Sequence, residues 1–177
     1  LVGEAALVGL APRDAEGLDW FDGMGQDNVD DFKLQRTDKD AARAKLQTER
    51  EETMAASGED LAGLLKTLLT PVDAAVLTGE FAEHLAWTGR EGLAPGAQGW
   101  WDDGEAFSRP WGFELSAIEV PVLLMHGRQD QFVPFGHGRW LAERIPGVEA
   151  RLLDDDGHLT LLTERIGEVH AWLAERL

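Results

Sequence analysis

The sequence contains no cysteine among its 177 residues. It therefore forms no disulfide, and it offers neither a thiol nucleophile nor a thiolate ligand for a metal. The lack of cysteine fits a reducing compartment, and we expect a cytoplasmic protein.

Basic residues are scarce, because 16 Lys and Arg stand against 33 Asp and Glu and give a formal net charge of −17. A surface this negative repels phosphate backbones and anionic lipid. Long hydrophobic runs are also missing, since a membrane helix needs roughly 20 apolar residues in succession. We therefore expect no nucleic acid and no membrane as partners, and a small molecule or a protein instead.

What the chain does have is enough apolar material to fold. Its hydrophobic content is 44% with seven Trp, which is too apolar for a disordered acidic tail. The length predicts one domain, or one domain with a substantial insertion. The start, residues 1–10, lacks an initiator Met and a basic segment, so it is not a signal peptide. We expect it to continue a segment that lies upstream.

Short apolar runs predict three buried strands, over residues 4–12, 120–126 and 148–153. A helical pattern at 136–145 lies between the second and third strands, and another runs from 161 to 177. Alternating strands and helices are typical of a parallel sheet. The sequence therefore predicts an α/β fold.

The middle of the chain, residues 13–119, has a different texture and predicts helices. The expected starts are Asp27-Asn28 and the cap Thr37-Asp38, which leads into a helix over 41–56. An apolar stripe follows over 61–69, and then a helix over 72–87. From Gly89 the chain is rich in Gly and Trp, and we expect a long ordered loop there.

Five of the seven Trp fall in this middle part, at positions 20, 87, 100, 101 and 111. Large amphipathic side chains suit the wall of an apolar pocket. They also suit the core of the helical part itself, which is the commoner place for any single Trp.

Two polar groups follow the last two predicted strands. Asp130 comes after the strand at 120–126, and His158 comes after the strand at 148–153. Parallel strands end at one edge of a sheet, where catalytic groups collect, so these side chains can meet. A carboxylate bound to one imidazole nitrogen fixes the tautomer of a general base. Alternatively, His158 caps the helix that follows it and Asp130 closes a turn.

The stretch 121–127, with Asp130, Val133-Pro134 and Asp156-Gly157-His158, resembles the carboxy-terminal half of the α/β-hydrolase fold. The resemblance implies that residues 1–12 and 120–177 form the end of the core, with the last three strands of its sheet. It implies that residues 13–119 are a helical cap insertion. It also implies that Asp130 is the acid and His158 the base of a Ser-His-Asp triad.

The sequence departs from that family at the nucleophile. The family carries it upstream, on a Gly-x-Ser-x-Gly elbow, and builds most of the oxyanion hole from the amino-terminal half. The only serines here are Ser57, Ser108 and Ser116, and none lies in such a motif. We expect a truncated or processed piece of a hydrolase, inactive by itself, whose partner is the amino-terminal half or a second copy in a dimer.

The expected substrate of the whole hydrolase is a small apolar ester or amide, and we expect Phe132, Trp101 and Trp111 to line its pocket. The missing nucleophile leaves the type of bond open. The alternative function is a catalytically inactive module that folds, self-associates or binds a ligand.

The remaining histidines and acidic runs predict neither a metal site nor a cofactor. His126, before a glycine at a strand end, is more typical of a packed structural residue. His137 and His170 fall on predicted helices with no carboxylate partner at ligand spacing, and His84 falls in a helix of the middle part. The run Asp154 to Asp156 lacks the pattern of a calcium loop and is expected to be a solvated turn. The stretch Gly23 to Gly25 is too short for a dinucleotide fingerprint.

Overall fold

The computed structural model describes residues 2–177, and Leu1, the first residue of the predicted core segment 1–12, lies outside them. The three strands are β1 (Glu4–Leu7), β2 (Val122–Gly127) and β3 (Glu149–Leu153). The helices are α1 (Gln26–Thr37), α2 (Lys39–Ala55), α3 (Leu61–Leu64), α4 (Pro71–Val76), α5 (Gly79–Leu93), α6 (Gln98–Phe107), α7 (Phe135–Ala142) and α8 (Ile166–Ala174). No helix in residues 2–177 is long and apolar enough to cross a membrane.

The strands form one parallel sheet in the order β1-β2-β3, which confirms the predicted α/β class. Glu4 pairs with Val122 in the first register and Leu123 with Glu149 in the second. Because β2 has a strand on each side and a helical layer on each face, all six of its residues are buried. Because the strands are parallel, β2 and β3 end at the same edge of the sheet.

Side chains of β2 alternate between two hydrophobic clusters, as the pleat of a strand requires. One cluster, on the α7 side, is built from Ala11, Val122, Leu124, Leu141 and Ile145. The other, on the α8 side, is built from Leu123, Met125, Leu161, Val169 and Trp172. Full burial of each such large side chain contributes about 1.5 to 3 kcal/mol, so β2 is the centre of the core.

The prediction of a strand over residues 4–12, buried on both faces, is wrong in length and in burial. The strand ends at Leu7, because Val8 has a φ of 52° and turns the chain out of the sheet. A left-handed conformation is costly for a β-branched residue and marks a sharp local turn. Glu4 is exposed and the next three residues are half-buried, since β1 is an outer strand of the described sheet.

The helical segment, defined here as residues 26–107, contains six helices between β1 and β2. The predicted cap is present: the Asp38 side chain accepts a hydrogen bond from Ala41 N at 3.0 Å and begins α2. The predicted helix over 72–87 is instead two helices, α4 and α5. They separate before Gly79, whose φ of 54° is a conformation that favours glycine and breaks a right-handed helix.

The prediction of a long loop after Gly89 is also wrong. Helix α5 continues to Leu93, and α6 occupies Gln98–Phe107. Two of the glycines there allow close packing, since a Cβ at Gly104 would lie 2.6 Å from the Gln35 side chain and one at Gly89 3.1 Å from Thr53. Contacts with α1 and α2 thus outweigh the low helix propensity of these residues.

The last predicted helices are present with shifted bounds. The pattern at 136–145 corresponds to α7, and the pattern at 161–177 corresponds to a π-helical turn, Leu161–Arg165, followed by α8. Residues Ala15, Leu18, Leu115 and Ile118 pack against the α7 side of the core, although all four fall within the predicted insertion 13–119. The division of the chain into core and cap stays a prediction.

Candidate active site

Asp130 and His158 are hydrogen-bonded at the carboxyl edge of the sheet. Asp130 lies in the turn after β2, His158 lies in the loop after β3, and Asp130 Oδ2 is 2.9 Å from His158 Nδ1. The Asp130 side chain is fully buried, and that of His158 is 22% exposed. The contact expected from adjacent strand ends is therefore present.

The two oxygens of Asp130 have different partners. Oδ2 faces the imidazole, while Oδ1 accepts a hydrogen bond from Val133 N at 2.8 Å. Asp130 thus closes its own turn and also contacts His158. The hydrogen bond from Val133 N holds the carboxylate in place independently of its contact with His158.

The pairing determines which nitrogen of His158 is free. A carboxylate only accepts hydrogen bonds, so Nδ1 carries a proton and Nε2 is the nitrogen that does not face Asp130. The Phe132 ring stacks on the imidazole, with 4.4 Å between the ring centroids. The imidazole is therefore held at one edge by Asp130 and on one face by Phe132, which is an arrangement suited to a general base.

Backbone contacts bring the two loops together. A Cβ at Gly127 would lie 2.3 Å from the carbonyl oxygen of Asp156, so a residue with a side chain does not fit there unless the backbone moves. The same carbonyl accepts a hydrogen bond from Gln129 N at 2.9 Å, and Arg128 N donates to Leu153 O at 2.8 Å. Gly127 is thus the residue that lets the His158 loop approach the Asp130 turn.

The acidic run before His158 is not uniformly solvated, which corrects the prediction of a solvated turn. Asp154 and Asp155 are exposed, whereas Asp156 is buried. Arg165 binds both oxygens of Asp156, at 3.2 and 3.0 Å. This bidentate pair ties the loop to the start of the carboxy-terminal helix.

Sequence reasoning missed Asp73, a fully buried carboxylate on α4. It accepts hydrogen bonds from three consecutive backbone N–H groups, those of His158, Leu159 and Thr160. One of 33 acidic residues in a helical pattern gives no sequence signal for this contact, because the partners lie 85 to 87 positions later.

His126, at the end of β2, is fully buried, in keeping with the interpretation of a packed structural residue. Its Nε2 donates to Val133 O at 2.8 Å and lies 3.9 Å from Asp130 Oδ2. Its Nδ1 has no hydrogen-bond partner among residues 2–177. Burial lowers the pKa of His126, so the ring is neutral and supports the Asp130 turn through Val133.

The aromatic residues expected in a pocket occupy separate places. Phe132 lies at the Asp130 and His158 pair, as described above. Trp101 lines a cavity of about 340 Å³ inside the helical segment, together with Asn28, Phe32, Trp100 and Phe107. Its lining includes neither member of the pair nor Phe132; the link to them is Asn28, whose side chain donates to the backbone carbonyl of Phe132 at 3.2 Å.

Trp111 is not brought to the pair. It lines a different cavity, of about 520 Å³, with Phe113 and with Trp140 of α7. The reason is local: residues after α6 run along the α7 side of the core before β2 begins. Of the Trp in the middle of the chain, Trp20 and Trp101 are buried, while Trp87, Trp100 and Trp111 are exposed.

No serine contacts the His158 ring through a hydrogen bond within residues 2–177. The Ser57 hydroxyl donates to Asp60 Oδ2 at 2.6 Å in the turn after α2. Ser108 ends α6, and Ser116 lies in a 3-10 turn before β2. Within the described chain, no group of three or more His, Asp or Glu side chains is arranged to hold a metal ion.

Comparisons with known proteins give partial matches. No family model matches the sequence. Over 50 residues the chain is 36% identical to the pimeloyl-[acyl-carrier protein] methyl ester esterase of Nitrosomonas europaea, a match that covers 28% of this chain and 20% of that protein.

Two solved structures resemble almost the whole chain. The bromoperoxidase from Bacillus anthracis is 20% identical with a TM-score of 0.59, and the match covers 97% of this chain and 56% of the bromoperoxidase. An alpha/beta hydrolase fold protein from Nakamurella multipartita is 24% identical with a TM-score of 0.52, covering 98% of this chain and 59% of its own.

The described residues therefore form part of an α/β-hydrolase fold, which confirms the resemblance drawn from the sequence. The chain spans less than three fifths of the two solved structures, and its match spans a fifth of the curated esterase.

Proposed function

We propose that this chain supplies the acid and the base of a Ser-His-Asp type triad, within a hydrolase of small apolar ester or amide-like substrates. The observation that carries the proposal is the 2.9 Å hydrogen bond between a fully buried Asp130 and a partly exposed His158. A structural histidine needs no such pairing, whereas a general base needs its second nitrogen free and its ring held.

In this mechanism His158 Nε2 takes the proton of a hydroxyl nucleophile as that oxygen attacks the substrate carbonyl. Asp130 stabilises the imidazolium that results, and His158 then returns the proton to the leaving group. The nucleophile is proposed to come from an amino-terminal half of the same hydrolase, because the family places it there. The match to an esterase is consistent with this chemistry.

The helical segment is proposed to act as a lid that supplies the apolar part of the substrate site. The support is the aromatic cavity around Trp101, one of whose lining residues, Asn28, donates a hydrogen bond to the backbone carbonyl of Phe132. A pocket of this kind excludes water and strengthens electrostatic interactions at the reacting atoms. Phe132 and Trp101 are then the substrate contacts, and no cofactor takes part.

The partner is proposed to dock on β1. Within residues 2–177 that strand pairs with β2 along one side only. Glu4 N and Val8 N donate to the β2 side, so the alternating N–H groups of Ala5 and Leu7 point to the other side. A strand of the amino-terminal half, or a second copy of this chain, would satisfy them.

The second candidate function is an inactive module that folds or binds a ligand. It is favoured by one observation, the absence of a Gly-x-Ser-x-Gly motif from the 177 residues. Under this alternative the Asp130 and His158 pair is a structural remnant.

The test is hydrolysis of aryl esters by the intact polypeptide that carries this chain, with His158→Ala and Asp130→Asn as the variants. We expect each to lower kcat by at least about two orders of magnitude, since both act on the proton transfer. The matched controls are His170→Ala and Asp154→Asn, which change exposed residues of the same types. Equal activity in all four variants contradicts the proposal, whereas no hydrolysis by the unmutated polypeptide supports the inactive module.

A further inference from the structure

Asp73 is the one acidic side chain of the helical segment that reaches the loop of the proposed base. Its Oδ2 accepts a hydrogen bond from His158 N at 3.0 Å and another from the Thr70 hydroxyl at 3.4 Å. Its Oδ1 accepts from Leu159 N at 2.7 Å and from Thr160 N at 3.3 Å. The side chain is fully buried, and all four of these donors are neutral groups.

The three backbone donors precede the turn Leu161–Arg165, at the start of the carboxy-terminal helix. The first N–H groups of a helix have no partner within the helix, and a carboxylate there is stabilising. A cap is normally a residue of the same turn. Here the carboxylate lies 85 residues earlier than His158 in the chain. It therefore caps the start of the helix and also joins that start to α4.

Gly157 gives independent support for this contact. A Cβ at that position would lie 2.4 to 2.6 Å from the carboxylate atoms of Asp73. The residue before the base thus has no room for a side chain, and the atoms that occupy the room are those of Asp73. The close approach therefore depends on the packing of the His158 loop against α4 and not on the conformation of the loop alone.

Apolar packing next to this contact holds the His158 loop against the helical segment. Leu159 is buried in a cluster with Leu61, Leu77, Ala82 and Ala86 of the helical segment. Such packing is non-directional, so it leaves the orientation of the His158 backbone open. Hydrogen bonds are directional, and those to Asp73 settle that orientation.

We propose that Asp73 is a positioning residue for His158, which holds the backbone of the base while Asp130 holds its ring. The inference rests on the proposed function, because it names the group that places the proposed base. His158 N is 3.0 Å from Asp73 and its Nδ1 is 2.9 Å from Asp130, so two fully buried carboxylates fix both ends of the residue. The helical segment is then part of the framework of the base.

The variant that tests this is Asp73→Asn, studied in the intact polypeptide. The amide keeps the shape of the side chain but puts an NH2 group opposite at least one backbone N–H. The readout is the NMR signal of the Nδ1 proton of His158, which its bond to Asp130 protects from exchange, assigned by its loss in His158→Gln. We expect this signal to disappear or broaden in folded Asp73→Asn.

The matched control is Asp60→Asn. Asp60 is also a carboxylate of the helical segment that accepts a backbone N–H and a hydroxyl, both from Ser57. We expect the His158 signal to be unchanged in it. A purely structural role for Asp73 would lower the melting temperature of Asp73→Asn yet leave the His158 signal of the folded protein intact, and that result overturns the proposal.

Two further variants keep the test decisive if Asp73→Asn does not fold. Gly157→Ala retains Asp73 and pushes its carboxylate away from the loop, and Thr70→Val removes one of the four donors. We expect the His158 signal to weaken in the first and to shift in the second. Unchanged signals in whichever of these variants folds contradict the proposal.

Ester hydrolysis separates this inference from the proposed function. A misplaced base lowers kcat by about 10²-fold, while KM changes little because Asp73 does not contact the substrate site. If the intact polypeptide hydrolyses no ester, the proposed function fails, and the His158 signal still decides whether Asp73 positions the imidazole.

Discussion

The backbone N–H of Ala11 donates to Nδ1 of His137 across 126 residues of chain, at 3.1 Å. The other nitrogen of that ring, Nε2, donates to Trp20 O at 2.9 Å. His137 is fully buried on α7, and it holds the chain that leaves β1 against the core. Because one nitrogen accepts and the other donates, this arrangement requires the neutral ring.

Stability should therefore fall as the solution is acidified. Burial lowers the pKa of His137 from 6.5 to about 4, so the unfolded chain takes up the proton first. The stabilisation is present above pH 6.5 and is lost between that value and pH 4, at up to about 1.4 kcal/mol per pH unit. Urea unfolding between pH 7 and pH 4.5 measures this slope.

The matched variant is His137→Gln, which does not titrate in that window. We expect a smaller slope in it, though not a flat profile, since the lowered pKa of His126 acts in the same direction. Identical slopes in the variant and the natural sequence would contradict the role assigned to His137.

Two helix glycines should respond oppositely to alanine. A Cβ at Gly138 of α7 would lie 2.4 Å from Cγ of the His126 ring, whereas at Gly167 of α8 it would meet nothing within 4 Å. We expect Gly138→Ala to destabilise by about 1 to 3 kcal/mol through overpacking. We expect Gly167→Ala to stabilise by about 0.5 to 1 kcal/mol through helix propensity. Thermal unfolding of both variants checks the pair, and equal effects would contradict it.

Sequence patterns sufficed for the parts of the site that depend on strand ends. Asp130 and His158 follow apolar runs that form adjacent parallel strands, so their meeting follows from topology. The contact of Asp73 was not predictable, because it joins two elements that are distant in sequence. Helix α6 was missed for a related reason: its Gly and Trp residues suit a loop by propensity, and packing on α1 decides otherwise.

Substitutions of Trp101 and of Trp111 should differ in their effect on substrate binding. Trp101 lines the cavity that includes Asn28, whose side chain bonds the Phe132 carbonyl, whereas Trp111 lines the cavity beside Trp140. We expect Trp101→Phe to raise KM for an apolar aryl ester several-fold with little change in kcat, since the lost contact acts on ground state and transition state alike. Trp111→Phe should change neither constant. A raised KM in Trp111→Phe alone would reverse the assignment of the pocket.

The purified 177-residue chain should self-associate when no amino-terminal half is present. The outward N–H groups of Ala5 and Leu7, inferred from the alternation along β1, offer an open strand edge. Pairing of two copies along β1 would give these groups hydrogen-bond partners and cover the edge.

Sedimentation at micromolar concentration measures the association, and Ala5→Pro provides the variant. Proline removes the outward N–H of Ala5 but leaves the donors of Glu4 and Val8 to β2 in place. We expect a dimer or larger species for the natural sequence and a weaker association for Ala5→Pro. A compact, stable monomer for the natural sequence would show that this edge needs no partner, and the proposal that another strand docks on β1 would then be wrong.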